Sequence, residues 1–166
     1  MSDIIDELFG DELTILETLK DYSIELGVLE EDGVKRITID VVNLDGTKSE
    51  VEMSVGDIMY FTEHGSLKFP ARNVLDKCYM VIDHMINAEL NTIVEDILEN
   101  GLTEMDIDNR FRTLCFRIEQ YARTFFISET AKINNLSQML SQDDENEYLY
   151  SLNSLSNYIT CKFFKK

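Results

Sequence analysis

Residues 74–98 read VLDKCYMVIDHMINAELNTIVEDIL, and this stretch decides the fold class. Its apolar side chains recur every three or four residues, which places them on one face of an α-helix. The Asn100-Gly101 pair then ends the helix, because glycine readily adopts the left-handed conformation found just past helix ends. The apolar stripe consists of Val74, Leu75, Cys78, Tyr79, Val81, Ile82, Met85, Ile86, Leu90, Ile93, Val94, Ile97 and Leu98.

A second long helix follows this one directly. Thr103 and Asp106 have the spacing of a capping box, in which each side chain bonds the backbone N–H of the other residue. An apolar stripe then runs from Phe111 to about Phe126, again at helical spacing. Two amphipathic helices joined by a short turn predict an antiparallel helical hairpin over residues 70–126.

The N-terminal third predicts a helix followed by strands. Residues 1–20 have amphipathic helical spacing, with acidic side chains on the polar face. Residues 21–53 alternate apolar and polar side chains, which is typical of half-buried strands. The Asp45-Gly46 pair is a strong hairpin signal. Because the connections are too short for parallel crossovers, this segment predicts an antiparallel β-meander.

Two further segments flank the hairpin. Residues 54–65 predict a short helix, which Ser54 caps and Gly65 ends. Residues 127–166 predict a C-terminal segment that is weakly helical at first. Its last part, Tyr158–Phe164, has strand composition, and we expect this strand to close the sheet.

The predicted fold is therefore α+β: an antiparallel sheet of about four strands packed on a long antiparallel helical hairpin, with an N-terminal helix. A length of 166 residues predicts one domain, residues 1–166, which can fold without a disulfide or a metal. Cys78 and Cys115 lie on apolar stripes, and the total of three cysteines, with Cys161, is odd. We therefore expect reduced, buried thiols in a cytosolic protein.

The charge of the chain excludes two classes of partner. With 32 acidic and 15 basic residues, the net charge is −17. General binding to nucleic acid or to an anionic membrane needs clustered lysine and arginine, so neither is expected. No apolar run approaches the roughly 20 residues of a membrane span. The charge is also uneven, because residues 1–63 hold 17 acids and 4 bases, a net charge of −13.

Motifs of catalytic chemistry are absent from the sequence. The two histidines, His64 and His84, have no partner at metal-ligand spacing, so no metal site is expected. The sequence contains no glycine-rich phosphate loop and no nucleophile elbow, so it predicts neither a cofactor nor a small-molecule substrate. Acidic pairs such as Glu95-Asp96 are favoured as solvated surface in so acidic a chain. We therefore expect a protein that is not an enzyme.

Two short motifs around the start of the hairpin resemble a known family. Glu63-His64-Gly65-Ser66 is followed by Phe69-Pro70-Ala71-Arg72. This order resembles the tail-completion, or virion-morphogenesis, proteins of tailed bacteriophages, a family of head–tail joining and minor tail proteins. In that family a short helix ends in Glu-Phe-Gly-Thr, and a loop leads to Ile-Pro-Ala-Arg-Pro-Phe and a long helix. Asn73-Val74 replaces the family's Pro-Phe.

Other segments follow the family's order along the chain. Ile24–Leu29 is similar to its early Val-Gly-Ile strand, and Val51–Tyr60 occupies the place of its entry helix. Near the C-terminus, Leu149–Thr160 takes the position of a Leu-Ile-Asp-Thr-Gly-x-Leu-x-x-Ser-Ile-Thr signature. Asn153 stands in place of the family's glycine, and asparagine also tolerates a left-handed backbone. The resemblance covers residues 20–164.

The resemblance implies a structural protein of the phage virion. It would sit in the neck, at the head–tail junction or the top of the tail, and complete the tail as an oligomeric ring during virion assembly. Its partners would be its own copies and the neighbouring neck or tail proteins, with DNA passing through the ring unbound. It would assemble in the host cytoplasm and then belong to the virion. The implied interface residues are Glu63, Gly65, Ser66, Pro70, Ala71 and Arg72.

Two alternatives remain open at the level of sequence. In a purely structural interpretation, Pro70 begins the long helix, and Arg72 is a surface residue or an ion-pair partner of Glu63. In the functional interpretation, the loop and Arg72 contact a neighbouring subunit, since arginine suits bidentate interface bonds. For the whole chain, the alternative function is a small acidic phage protein that mimics nucleic acid and inhibits a host nucleic-acid-binding protein.

Overall fold

The computed structural model describes residues 2–42, 47–65, 71–140 and 155–166. Five helices and four strands are described there, with a short 3-10 turn at Leu19–Asp21. In this part of the chain, no helix combines the length and the apolar character needed to cross a membrane. The elements in chain order are α1 Ser2–Thr18, β1 Tyr22–Val28, α2 Glu30–Gly33, β2 Arg36–Val42, β3 Lys48–Ser54, α3 Val55–His64, α4 Val74–Asn100, α5 Glu104–Leu140 and β4 Ile159–Lys165.

The chain divides into two compact units. The first contains Met1–Leu26, Met80–Ile118 and Cys161–Lys166, and the second contains Gly27–Tyr79 and Glu119–Thr160. The single domain predicted for residues 1–166 stays a prediction.

The core of the first unit comes from the facing stripes of α4 and α5. Its buried side chains are Ile82, Ile93, Ile97, Ile107, Phe111, Leu114, Cys115, Ile118 and Cys161. Burying one such aliphatic or aromatic side chain stabilises the fold by about 1.5–3 kcal/mol. Because these residues recur at helical spacing on both helices, they fix which faces pack together.

Ion pairs fix the register of α4 against α5 in this unit. Arg110 lies 2.7 Å from a carboxylate oxygen of Glu89 and 2.8 Å from one of Asp96. Arg117 lies 3.4 Å from the other oxygen of Glu89. Moving from Arg110 to Arg117 on α5 shifts the contacts towards earlier residues of α4, so the two helices run antiparallel. The predicted hairpin is thus present between residues 80 and 118.

An aromatic cluster joins both terminal strands to α5 in the same unit. The rings of Tyr22 and Phe111 stack with centroids 4.4 Å apart, and Phe163 lies 5.9–6.0 Å from both. The Tyr22 hydroxyl bonds the Asp108 carboxylate, and burial together with that carboxylate raises the pKa of the phenol. Lys165 lies 5.5 Å from the Tyr22 ring centroid and pairs with Glu104.

The second unit contains a β-hairpin and a short capped helix. Strands β2 and β3 pair antiparallel in a register that runs from Arg36 opposite Ser54 to Val42 opposite Lys48. The Ser54 hydroxyl then accepts a hydrogen bond from the Asp57 amide, 3.1 Å away, and so begins α3. The buried side chains of this unit are Val55, Ile58, Met59, Val74, Cys78, Ala122, Phe126, Leu155 and Ile159.

The α+β class is confirmed, but the sheet prediction is wrong in its pairing. Within the described residues, the four strands form two separate two-stranded antiparallel sheets, β1–β4 and β2–β3. The meander of residues 21–53 is therefore not continuous, because β1 pairs with the C-terminal strand instead of β2. The four residues of α2 lie between β1 and β2. The predicted Asp45-Gly46 turn lies outside the described residues.

The helix predictions hold except at two ends of the hairpin: the start of α4, which lies at Val74 and not at residue 70, and the end of α5. The capping box at Thr103 and Asp106 forms in both directions, with N–H to side-chain oxygen distances of 3.0 and 3.2 Å. The Thr103 hydroxyl, 2.6 Å from the Asp106 carboxylate, and the Thr103 amide both donate to that carboxylate and lower its pKa. The second hairpin helix does not end near Phe126, because α5 continues to Leu140. All three cysteines are free and buried, as predicted.

Candidate interaction site

The connection between α3 and α4 is closed at its base by the side chain of Glu63. Glu63 is next to last in α3 and only 8% exposed. Its Oε1 atom accepts a hydrogen bond from the Leu75 backbone amide at 2.9 Å, and the amides of Val74 and Asp76 also bond this carboxylate. The first amides of a helix have no partner within it, and a negative group there is favourable. The C-terminal end of α3 therefore caps the N-terminal end of α4.

The electrostatics of Glu63 combine two opposed effects. Burial removes water from the carboxylate and raises its pKa, which is the largest contribution. The hydrogen bonds from the three α4 amides act in the opposite direction, and the nearby Asp76 carboxylate raises the pKa again. The net result is a Glu63 carboxyl whose pKa lies above its ordinary value.

Backbone contacts fasten both ends of the connection to α3. At one end, the Gly65 amide donates to the Phe61 carbonyl at 2.9 Å, and Gly65 has a φ of +73°, which glycine adopts without strain. At the other end, the Arg72 amide donates to the Thr62 carbonyl at 2.8 Å. Gly65 and Arg72, the two described ends of the connection, are therefore both held to α3.

Asn73 marks the start of α4 in a way that the sequence did not predict. The predicted hairpin begins at residue 70, which would place Asn73 in the first turn of the helix, but its φ is +50° and α4 begins at Val74. The Asn73 carbonyl accepts a hydrogen bond from the Lys77 amide at 3.1 Å, so Asn73 is the residue just before the helix. Asparagine tolerates this left-handed conformation better than most residues. Val74 is fully buried, which confirms its predicted inward position.

The six predicted interface residues fall into three groups. Glu63, Gly65 and Arg72 come together at the base of the loop, where Glu63 is buried and the other two are half-buried. Ala71 is exposed. Ser66 and Pro70 lie outside the described residues. Glu63 caps a helix through backbone amides, which gives it a structural role. The part that the set plays in an interface stays a prediction.

The residues at the start of α4 offer little chemistry. Burial, and next the Glu63 carboxylate, raise the pKa of the Cys78 thiol to about 11, so the thiol stays protonated and unreactive at neutral pH. Lys77 lies 3.5 Å from the largely buried carboxylate of Glu129. Among the described residues, no group of three histidine, cysteine or acidic side chains can hold a metal ion. The arrangement is suited to holding a loop in place.

Sequence reasoning missed an exposed surface in the first unit. Met105 is 73% exposed and Phe116 is 64% exposed, and Arg112 lies between them on α5 with an exposed side chain. A signal was present in the sequence, because Phe116 falls outside the apolar stripe from Phe111 to Phe126 and follows Arg112 by one helical turn. A large aromatic residue on the polar face of an amphipathic helix indicates a contact surface.

Comparisons with known proteins leave the family open. The resemblance to the phage tail-completion proteins therefore rests on the order of the motifs from Glu63 to Arg72 and on the segments that follow them. No protein-family model, curated protein or solved structure matches this chain.

Proposed function

We propose that this chain is a structural virion protein of a tailed phage, which completes the tail at the head–tail junction as an oligomeric ring. The observation that carries the proposal is the α3–α4 connection. A short helix ends at His64 with Gly65 as its cap, and a long helix begins at Val74, two residues after Arg72 of the Pro-Ala-Arg motif. This is the arrangement that the resemblance implies.

The fixed base of the loop supports a role in binding. Ordering residues on binding costs free energy, and residues that are already held in place, such as Gly65 and Arg72, avoid that cost. The bonds of Glu63 to Leu75 and of Arg72 to Thr62 hold both ends of this loop to α3. Ala71, next to Arg72 at the end of this connection, is exposed and available to a neighbour. The described residues near it suit positioning better than catalysis.

The acidic charge is compatible with a ring through which DNA passes. A surface with a net charge of −17 repels the phosphate backbone, so DNA would slide past without being held. The same charge opposes contact between copies, and a ring therefore needs apolar or oppositely charged surfaces to form. Exposed Met105 and Phe116 supply apolar surface of this kind.

The net charge of −13 in residues 1–63 favours the alternative function, in which the protein mimics nucleic acid. A nucleic-acid mimic presents dense negative charge to a basic protein, and its complex forms without self-association. A ring former associates with its own copies and is carried in the virion. The oligomeric state of the isolated protein, measured with and without a basic nucleic-acid-binding protein, separates the two functions.

Mass spectrometry of purified virions tests the proposal. We expect this chain in mature particles, in several copies per particle. A phage that lacks the chain should accumulate filled heads and separate tails, and supplying the protein should restore joining. If the chain is missing from mature particles, the proposed function is wrong.

A further inference from the structure

One face of α5 in the first unit combines two exposed apolar side chains with an arginine. At 3.6 residues per turn, Met105, Arg112 and Phe116 lie within about 40° of each other around the helix. All three are exposed, and the buried stripe of α5 faces the core instead. Methionine, phenylalanine and arginine are enriched at the centres of protein interfaces.

Arg112 differs from Arg110 and Arg117 of the same helix in its partners. Arg110 and Arg117 both pair with carboxylates of α4. Arg112 instead lies 3.4 Å from the Asn109 side-chain oxygen, and it forms no ion pair with any residue that the structure describes. In a chain with 32 acidic side chains, an arginine left without a carboxylate is available to one from another molecule.

The N-terminal helix of the same unit carries a complementary surface. A shallow groove of about 530 Å³ runs along α1 and is lined by Gly10, Leu13, Thr14, Leu16, Glu17 and Lys20. At Gly10, no atom of the described residues lies within 4 Å of the place that a Cβ would occupy. Leu13 is 40% exposed, and Glu17 is exposed and forms no ion pair within the described ranges.

We propose that α5 of one copy docks against the α1 groove of a second copy. Phe116 fills the space beside Gly10 and Leu13, and the Arg112 guanidinium pairs with the Glu17 carboxylate. Arg112 and Phe116 are four residues apart, as are Leu13 and Glu17. When the two helices lie antiparallel, both contacts therefore form at the same time.

The partner that binds the α1 groove is a second copy, because this chain carries both the groove and the α5 face that fits it. The α5 face and the α1 groove belong to the same unit, and both are open to solvent, so neither covers the other within one molecule. An interface between two different surfaces of identical chains is heterologous, and such contacts produce rings when the rotation closes. The inference thus names the contact on which the proposed ring rests.

Charge reversal tests the pairing directly. Self-association is measured by light scattering and sedimentation for R112E, E17R and the double variant R112E/E17R. We expect each single variant to weaken association at least tenfold, because a pair of opposite charges becomes a pair of like charges. The double variant should recover to within about threefold of wild type. An equimolar mixture of the two single variants should also associate.

Two matched controls separate this contact from the effect of net charge. R36E changes the net charge by the same amount as R112E, and E99R by the same amount as E17R, at exposed side chains that are part of neither surface. We expect both controls to associate like wild type. A third test places cysteines at Leu13 and Phe116, where oxidation should crosslink neighbouring copies. The native cysteines are buried and give little background.

Several results would overturn the inference: a wild-type protein that stays monomeric, single reversals that associate normally, or a double variant that does not recover. Its failure is distinct from failure of the proposed function. If virions contain the chain but R112E and E17R still assemble, the proposed function is supported and the proposed contact is wrong. If virions lack the chain but the double variant R112E/E17R recovers self-association, the contact is supported and the proposed function is wrong.

Discussion

The Glu63 Oε1 atom lies 2.9 Å from the backbone nitrogen of Leu75, across a separation of twelve residues in the chain. This bond joins the end of α3 to the first turn of α4. It places a buried carboxylate where helix amides lack partners and where the helix dipole favours negative charge. The Glu63 side chain therefore ties the start of α4 to the end of α3, beside the backbone bonds of Gly65 and Arg72.

Removing that carboxylate should destabilise the protein. We expect E63A to lower the free energy of unfolding by about 1–3 kcal/mol, because the Leu75 amide would be left without its partner. E63Q should cost less, since its amide oxygen can still accept the bond. Urea denaturation measures both, with E99A as an exposed control. Equal stability of E63A and wild type would contradict the capping role.

The same residue should give the protein a distinct pH dependence. The Glu63 carboxyl has a raised pKa in the folded state because burial disfavours its charge, so the folded protein holds this proton more tightly than the unfolded chain. The stability due to Glu63 is therefore fully present below the ordinary glutamate pKa and is lost as pH rises through the raised value.

Comparison with E63Q isolates this effect, because glutamine does not titrate. From pH values below the ordinary glutamate pKa upwards, wild type should lose stability relative to E63Q as pH rises, in urea titrations at low protein concentration. A difference that is constant with pH, or that changes in the opposite direction, would show that the Glu63 pKa is not raised.

The helices could be predicted from sequence, because the spacing of apolar residues that specifies a helix lies within a short stretch of the chain. Ile82, Ile93 and Ile97 recur at helical spacing, and all three are buried in the core. The strand pairing could not be predicted in the same way. Tyr22 and Phe163 meet in an aromatic cluster although 141 residues separate them, and no local pattern specifies that partnership.

The sequence predicted where the candidate site lies along the chain, but it did not predict the contacts that its residues make. The motifs placed Glu63 and Arg72 at the two ends of one connection, as found. The sequence did not indicate that Glu63 would cap α4, because the pattern contains no signal for a bond from a side chain to a backbone amide twelve residues later. The left-handed Asn73 was likewise missed, since asparagine also occurs in helices.

The start of α4 makes a prediction about its packing. Val74 is fully buried, so V74D would place an unpaired carboxylate in an apolar environment. We expect the free energy of unfolding to fall by about 3–5 kcal/mol, with V74A costing less. Thermal or urea denaturation measures both variants. A V74D protein as stable as wild type would contradict the inward position of this side chain.

Arg72 should matter for assembly more than for folding. R72A keeps the backbone amide that bonds Thr62, so the base of the loop should survive and the melting temperature should stay near that of wild type. If the guanidinium pairs with a carboxylate of a neighbour, its loss costs about 2–5 kcal/mol at each interface. We therefore expect R72A to impair ring formation or the joining of heads to tails in virion assembly assays.

A matched variant makes the Arg72 result interpretable. R36A removes an exposed arginine that pairs with Glu52 on the neighbouring strand, and it should assemble normally. Normal assembly of R72A would remove Arg72 from the interface. An unfolded R72A protein would instead support the purely structural interpretation of the Pro-Ala-Arg motif.

Salt should promote self-association, although one ion pair is part of the proposed contact. An exposed ion pair contributes at most about 1 kcal/mol, whereas copies that each carry −17 repel one another through many charges. This repulsion is screened over about 10 Å at 0.1 M salt and about 3 Å at 1 M, while apolar contact through Phe116 and Leu13 is not weakened by screening. Light scattering should therefore show more oligomer at high sodium chloride, and also as pH falls towards the isoelectric point of about 4.3.

A nucleic-acid mimic bound to a basic partner should release it under the same salt increase. If self-association weakens as salt rises, charge pairing holds the copies together and the apolar contact proposed for the ring is wrong.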